Sequence, residues 1–259
     1  MPASKTFFAF AFLALLGFTW AACVDTCVLD PEVTEGPYYV DLQLVRSDIR
    51  EDNEGIPLYL NITVVDSNTC EVVPDAGVQI WQCSARGIYS HFVEASEGIQ
   101  NPQTDNTTFL RGVQLSGDDG RVSFISVFPG WYQGRAVHIH MKVHQNGTDG
   151  MVVHVGQLFF EEELIEQVAK IAPYSDSTVD RVTNPDDGIY DNGGYYGLVS
   201  NWEFVNKYDI TQGIKASVAV EVNAEATAPA TYYGGPGGGP PGGPGGQPPQ
   251  PPTGTLSRQ

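Results

Sequence analysis

Two histidines and two tyrosines have the residue types and the spacing of a metal site. His138 and His140 are separated by one residue, and in a β-strand alternate side chains point to the same face. Tyr89 and Tyr132 add two phenols upstream. A phenol ionises near about pH 10, and a strongly Lewis-acidic cation lets it bind as a phenolate at neutral pH. Imidazole combined with phenolate oxygen therefore favours Fe(III) over zinc, which prefers Cys, His or carboxylate ligands.

The His-x-His pair alone leaves other interpretations open. Two such histidines can be no more than the polar face of a strand. A cupin-like Fe(II) or Mn(II) site would need a glutamate shortly after His140, where His144 and Gln145 stand. A zinc site made of His138, His140 and His154 would leave the tyrosines without a role. A catalytically inactive β-sandwich that binds aromatic compounds is the alternative from outside enzymology.

Short β-rich runs separated by turn residues must position these side chains. Strands are predicted near 58–65, 77–83, 121–125, 136–143 and 152–160, with a hairpin-type turn at 117–120. One short helix is predicted from the glutamates at 161–163, with an apolar stripe of Leu164, Val168 and Ile171, ending at Pro173. The pattern predicts an all-β fold, an antiparallel β-sandwich with one short helix and long loops.

The two ends of the chain differ in composition from its middle. Lys5, the apolar run at 7–16 and the small residues at 21–22 form the pattern of a secretory signal peptide over 1–22. Residues 23–226 are predicted to form one catalytic domain. Residues 227–259 are rich in Gly and Pro, which cannot bury a core, and are predicted to be a disordered tail. The sequence thus predicts a secreted protein with no membrane span.

Charge and cysteine content restrict the partners and the compartment. The net charge of −18 disfavours nucleic acid and anionic membranes as partners. Export would allow disulfides among Cys23, Cys27, Cys70 and Cys83. Cys70 and Cys83 are expected at opposite ends of a hairpin formed by strands near 58–66 and 76–83. We therefore expect Cys27 to bond one of these two. Three sequons predict a glycoprotein, and they begin at Asn61, Asn106 and Asn146.

A set of motifs in a fixed order resembles one enzyme family. The segments are 31–39 (PEVTEGPYY), 78–90 (VQIWQCSARGIYS), 129–132 (PGWY), 135–140 (RAVHIH) and 156–160 (GQLFF). Together they resemble the intradiol ring-cleavage dioxygenases over roughly 27–197. The signal peptide, and the lack of the helical dimerisation region of the intracellular catechol enzymes, make the secreted fungal-type branch the most similar.

The resemblance implies a reaction and a ligand set. Non-haem Fe(III) would be held by Tyr89, Tyr132, His138 and His140. A catechol would bind through both oxygens and displace Tyr132, whose phenolate would take a substrate proton. O2 would then cleave the ring between the two hydroxyl-bearing carbons and give a cis,cis-muconate-type diacid.

Further residues receive roles from the same resemblance. Arg135 would lie beside the substrate and stabilise negative charge on the ring, provided that a turn at 133–134 re-aims it from the opposite strand face. Gln157 would hydrogen-bond behind the ligands. Tyr38 and Tyr39 are candidates for the substrate mouth. The expected partners are a small catechol and O2, and the protein is expected to be a monomer or a weak homodimer.

Overall fold

The computed structural model describes residues 27–92, 105–227 and 229–230. Within these residues, nine strands form two sheets that pack face to face, with the strand orders β4-β1-β9-β8 and β3-β2-β5-β6-β7. The strands are β1 (Pro57–Asp66), β2 (Gly77–Trp81), β3 (Arg111–Leu115), β4 (Arg121–Val127), β5 (His138–His144), β6 (Val152–Phe160), β7 (Leu198–Val199), β8 (Asn201–Phe204) and β9 (Ile214–Val222). The predicted all-β sandwich is confirmed.

The sheets are mixed, so the prediction of a purely antiparallel sandwich is wrong in this detail. β9 pairs parallel to β1, and β7 pairs parallel to β6, while the other pairs are antiparallel. β3, β7, β8 and β9 were not predicted from the sequence. A strand can return in either direction when a long connection precedes it, and nothing in a local pattern fixes that direction.

The predicted hairpin between β1 and β2 is also wrong. β1 and β2 belong to different sheets, so the chain crosses the sandwich between them. The turn at 117–120 does form, with Gly120 N donating to Gly117 O at 2.8 Å. It joins β3 to β4, but β3 pairs with β2 and β4 pairs with β1. A turn residue pattern specifies a reversal of the chain and not the partner of each strand.

The core lies between the sheets, and β5 contributes to it with one face only. Ile139, Met141 and Val143 join the core together with the inward face of β1, which carries Leu58 and Leu60. Alternation sends the remaining side chains of β5 to the outer face of its sheet. The outer residues are buried as well: His138, His140, Lys142 and His144. The segment 31–39 covers part of this face, since Gly36 lies against His140 and Glu35 pairs with Lys142.

Two helices are present in the described residues. Helix α1 (Glu162–Val168) buries Leu164, Ile165 and Val168, so the predicted helix is confirmed, although it ends before Ile171. A second helix of four residues, α2 (Gly188–Asp191), was not predicted. No helix of the described part of the chain is long and apolar enough to cross a membrane.

A disulfide joins Cys27 to Cys70, which confirms one of the two expected pairings. The bond ties the start of the described chain to the turn after β1. Cys83 is buried and carries a free thiol. Cys23, the predicted signal peptide and the Gly/Pro-rich tail from 231 onwards lie outside the described residues.

Candidate metal centre

Two loops and one strand bring the four candidate ligands to one point. β5 presents both histidines on its outer face, and their Nε2 atoms are 3.1 Å apart. Tyr89 follows β2, and its Oη lies 3.4 Å from Nε2 of His138. Tyr132 precedes β5 and approaches the same nitrogen at 3.2 Å. The structure therefore collects the residues that the sequence analysis selected as ligands.

The His138 ring has a defined orientation. Its Nδ1 lies 2.7 Å from the carbonyl oxygen of Ala136, so Nδ1 carries the hydrogen and donates it. Its Nε2 is then an unprotonated acceptor that faces the two phenols and His140. A histidine ligand held by a backbone carbonyl through its second nitrogen is the usual arrangement in metal sites.

His140 is held by packing. Its ring stacks on the Trp81 indole, and Gly36 covers another side. A Cβ on Gly36 would come within 2.8 Å of the His140 Cε1 atom, so any larger residue would push on the imidazole. Gly36 also has a φ of +76°, which glycine adopts without strain. The Nδ1 atom of His140 is buried with no hydrogen-bond partner in the described structure.

Without a bound metal, burial keeps the two imidazoles and the two phenols uncharged. Desolvation and the nearby Arg135 hold the pKa of His138 well below its usual range. Desolvation and the neighbouring His138 do the same to the pKa of His140. Desolvation raises the pKa of Tyr132 to about 12, an effect that Arg135 partly opposes. Desolvation also raises the pKa of Tyr89 well above its usual range. A cation of high charge would reverse this preference in the phenols.

The separations of the donor atoms suit a bound cation. The Nε2 atoms of His138 and His140 lie 3.1 Å apart, close enough to share one cation. Ligand atoms at about 2.0–2.1 Å from a metal in tetrahedral arrangement are roughly 3.3 Å apart. The distances from His138 Nε2 to the other donors, 3.1–3.4 Å, match this spacing. The residues present therefore fit a small, hard metal ion.

The described residues do not assemble the alternative three-histidine or cupin-like sites. The described residues contain no group of three or more His, Cys, Asp and Glu side chains placed to hold a metal. His154 instead binds Glu32, with Nδ1 and Oε1 3.0 Å apart. Its partner on the neighbouring strand is Val143, which belongs to the core face of β5.

The two phenols differ in exposure. Tyr89 is fully buried, whereas Tyr132 is only partly buried. Tyr38 stacks on the Tyr89 ring with centroids 4.4 Å apart and also contacts Tyr132 edge-on. Tyr38 therefore lies at the site. Tyr39 does not; it packs against Trp81 and under Lys142, whose Nζ lies 3.4 Å from the ring centroid.

Arg135 reaches the site because the chain turns before it. Gly134 adopts a φ of +82°, and β5 begins only at His138. The guanidinium Nη1 thereby lies 3.4 Å from His138 Nε2. Its Nη2 donates to Gln157 Oε1 at 2.5 Å, and Gln157 Nε2 donates to the carbonyl of Thr34 at 3.0 Å. Gln157 thus links the guanidinium to the covering segment.

Several residues near the site were not selected from the sequence. Trp81 supports a candidate ligand, because its ring stacks on His140. Asp187 contacts Arg135. The alternation of β5 could have drawn attention to Lys142, because it shares a face with His138 and His140. No local signal in the sequence points to Trp81 or Asp187.

The chain was compared with known protein families and solved structures. No family model matches the chain. The structure is similar to that of an intradiol ring-cleavage dioxygenase from Tetranychus urticae, with a TM-score of 0.69 and 33% sequence identity over 77% of this chain and 96% of that one. The dioxygenase domain of a carbohydrate-binding fusion protein from Streptomyces sp. SirexAA-E shares the fold, with a TM-score of 0.53 and 20% identity over 75% of this chain and 97% of that one.

One curated relative is similar over a shorter stretch. Catechol 1,2-dioxygenase 1 of Acinetobacter lwoffii is 32% identical over 108 residues, which are 39% of this chain and 32% of the relative. The match thus spans about a third of the length of that protein.

Proposed function

Because the chain belongs to the intradiol ring-cleavage dioxygenase family, we propose that it uses non-haem Fe(III) and O2 to cleave catechols between the two hydroxyl-bearing carbons. The product would be a cis,cis-muconate-type diacid. The observation that carries the proposal is the convergence of two phenols and two imidazoles within 3.1–3.4 Å of His138 Nε2, with a guanidinium beside them. Zinc and Fe(II) sites are rarely built from phenols.

Tyr89, Tyr132, His138 and His140 would hold the iron. When bound, Fe(III) would supply the Lewis acidity that lets phenols ionise at neutral pH and that draws electron density from a catechol. Tyr89 is the permanent phenolate in this assignment, because it is fully buried and stacked under Tyr38. Tyr132 is partly exposed and lies on a loop, so its side chain is the one free to move aside and accept a substrate proton.

The remaining residues would act on the substrate. Arg135 places a fixed positive charge next to the ligands, where negative charge develops on the ring as it reacts. Gln157 keeps that guanidinium in place. Tyr38 offers an aromatic wall to a flat substrate. The covering segment 31–39 keeps water away from one side of the His140 imidazole, where Gly36 lies against the ring.

The visible spectrum tests the proposal. The protein is purified, loaded with Fe(III), and measured anaerobically before and after catechol is added. A broad visible band that moves to longer wavelength with catechol, followed by muconate formation when O2 enters, is the expected result. Protein loaded with Zn(II) is the matched control and stays colourless. A colourless iron protein unaffected by catechol would favour the alternative of an inactive sandwich that binds aromatic compounds.

We also propose that the protein is exported, belongs to the secreted fungal-type branch and works as a monomer or weak dimer. The leader-like residues 1–22 support export, and so does the Cys27–Cys70 disulfide, since such bonds persist in oxidising compartments. N-terminal sequencing of protein secreted by a eukaryotic host tests the leader. Analytical ultracentrifugation of the same sample tests the oligomeric state.

A further inference from the structure

Asp187 is a fully buried carboxylate next to the candidate metal centre. Its side chain has no exposed surface. Its Oδ2 accepts hydrogen bonds from Arg135 Nε at 2.8 Å and from the backbone N of Ala136 at 2.7 Å. Its Oδ1 accepts from the backbone N of Ile189 at 2.8 Å and of Tyr190 at 3.3 Å. Each carboxylate oxygen of Asp187 therefore accepts two hydrogen bonds.

The contact with Asp187 decides how the Arg135 guanidinium faces the site. Asp187 accepts a hydrogen bond from Nε of Arg135, and Gln157 accepts one from Nη2. Nη1 is then the group of the guanidinium directed at His138 Nε2. A guanidinium is a planar fork, so fixing two of its nitrogens fixes the direction of the third.

Asp187 also reaches the ligand His138 through the backbone. The carboxylate holds Ala136 by its N–H, and the carbonyl of Ala136 receives the hydrogen of His138 Nδ1 at 2.7 Å. One carboxylate therefore orients a charged group beside the substrate and anchors the residue that orients a metal ligand. Asp187 also caps helix α2, so it ties that short helix to the site.

We propose that Asp187 is a positioning residue, which acts on the reaction by directing Arg135 toward the bound substrate. This inference rests on the proposed function. The charge is required as well as the shape, because both oxygens accept from two donors. An asparagine would turn an NH2 group toward two N–H donors at one of these positions, and it would remove the charge that pairs with Arg135.

A double-mutant cycle tests the proposal. We would measure kcat and KM for catechol, per bound iron, in wild-type protein, Asp187→Asn, Arg135→Gln and the double variant. The expected kcat of Asp187→Asn is lower by about 10- to 100-fold. In the Arg135→Gln background, the same change should lower kcat per bound iron by less than about twofold, because Asp187 then has no guanidinium to direct. Its hold on Ala136, and through it on His138, would show in the iron content instead. The proposal would be overturned if Asp187→Asn lowered kcat by the same factor with and without Arg135. A wild-type kcat in Asp187→Asn would overturn it as well.

The control is Asp66→Asn. Asp66 is also a buried aspartate that accepts several hydrogen bonds, and it is the last residue of β1, away from the site. It should lose stability without losing kcat. Equal loss of kcat in both variants would mean that general destabilisation explains the effect, and would overturn the proposal.

A second readout does not require turnover. Anaerobic titration with catechol gives the Kd for each member of the cycle, and we expect the same non-additive pattern. If wild-type protein binds catechol without cleaving it, the proposed function fails, while the Kd values still decide the role of Asp187. If Asp187→Asn does not fold, the Arg135 Nε–H signal in ¹H–¹⁵N spectra of metal-free wild-type protein decides. Slow hydrogen exchange supports the buried contact, and fast exchange overturns it.

Discussion

The Trp81 indole and the His140 imidazole lie face to face, with ring centroids 5.0 Å apart and planes inclined by only 4°. Tyr39 packs against the same indole at a tilt of 59°, with centroids 5.0 Å apart. Lys142 lies over Tyr39 and pairs with Glu35 at 2.8 Å. A candidate metal ligand is thus supported by a stack of rings that ends in a buried ion pair.

This stack makes Trp81→Ala damaging in two ways. The substitution removes a fully buried indole, so the free energy of unfolding should fall by about 3–5 kcal/mol. The His140 ring would lose its support, and the protein should retain less iron. Denaturant unfolding and iron analysis measure the two effects. Trp81→Phe keeps an aromatic face and should retain iron; loss of iron in both variants, or in neither, would contradict the stacking role.

Tyr132→Phe and Tyr89→Phe should behave differently. Without its phenol oxygen, Tyr132 cannot accept a substrate proton, and we expect kcat to fall by roughly 10²–10⁴-fold while iron remains bound with an altered colour. Tyr89→Phe removes the fully buried ligand and should lose most of the iron. Iron content, visible spectra and turnover of the two variants provide the comparison. Wild-type turnover in Tyr132→Phe would exclude its role as a base.

The pair formed by Lys142 and Glu35 holds the covering segment on the sheet. Lys142→Met leaves the Glu35 carboxylate, which is only 15% exposed, without this cation, and we expect a loss of about 2–4 kcal/mol in unfolding free energy. The double variant Lys142→Met/Glu35→Gln removes both charges and should recover part of that loss. Thermal and denaturant unfolding of the two single variants and the double variant measures the coupling. Additive losses would show that the two charges do not stabilise each other.

Asp30 should make stability depend on pH. Burial and the adjacent Glu221 raise the pKa of Asp30 from 3.8 to about 7, although His154 opposes the shift. Because the folded state holds the proton more tightly, this stabilisation is complete below about pH 4 and is lost as the pH rises to about 7.

Asp30→Asn imitates the protonated acid and tests this expectation. At pH 8 the variant should be more stable than wild type, by at most about 4 kcal/mol for a shift of about three pH units, and at pH 4 the two should be nearly equal. Unfolding curves at both pH values provide the measurement. A constant difference between the proteins from pH 4 to pH 8 would contradict the shifted pKa.

The local pattern of the sequence predicted several elements and not their partners. Alternation and turn residues gave β1, β2, β4, β5 and β6 to within about two residues, and the glutamates before Leu164 gave helix α1. The parallel return of β9 beside β1 was missed. Strand pairing joins distant parts of the chain, and neither periodicity nor turn chemistry identifies the partner.

The sequence by itself determined which donors meet. The single residue between His138 and His140 places both imidazoles on one face by backbone geometry alone, and the order of the motifs added the two tyrosines. Only the tertiary structure decided what surrounds them. Asp187 contacts Arg135 across 52 residues of sequence, and Trp81 reaches His140 across two neighbouring strands. Such contacts depend on how the sheets and loops pack, because no local backbone preference brings distant side chains together.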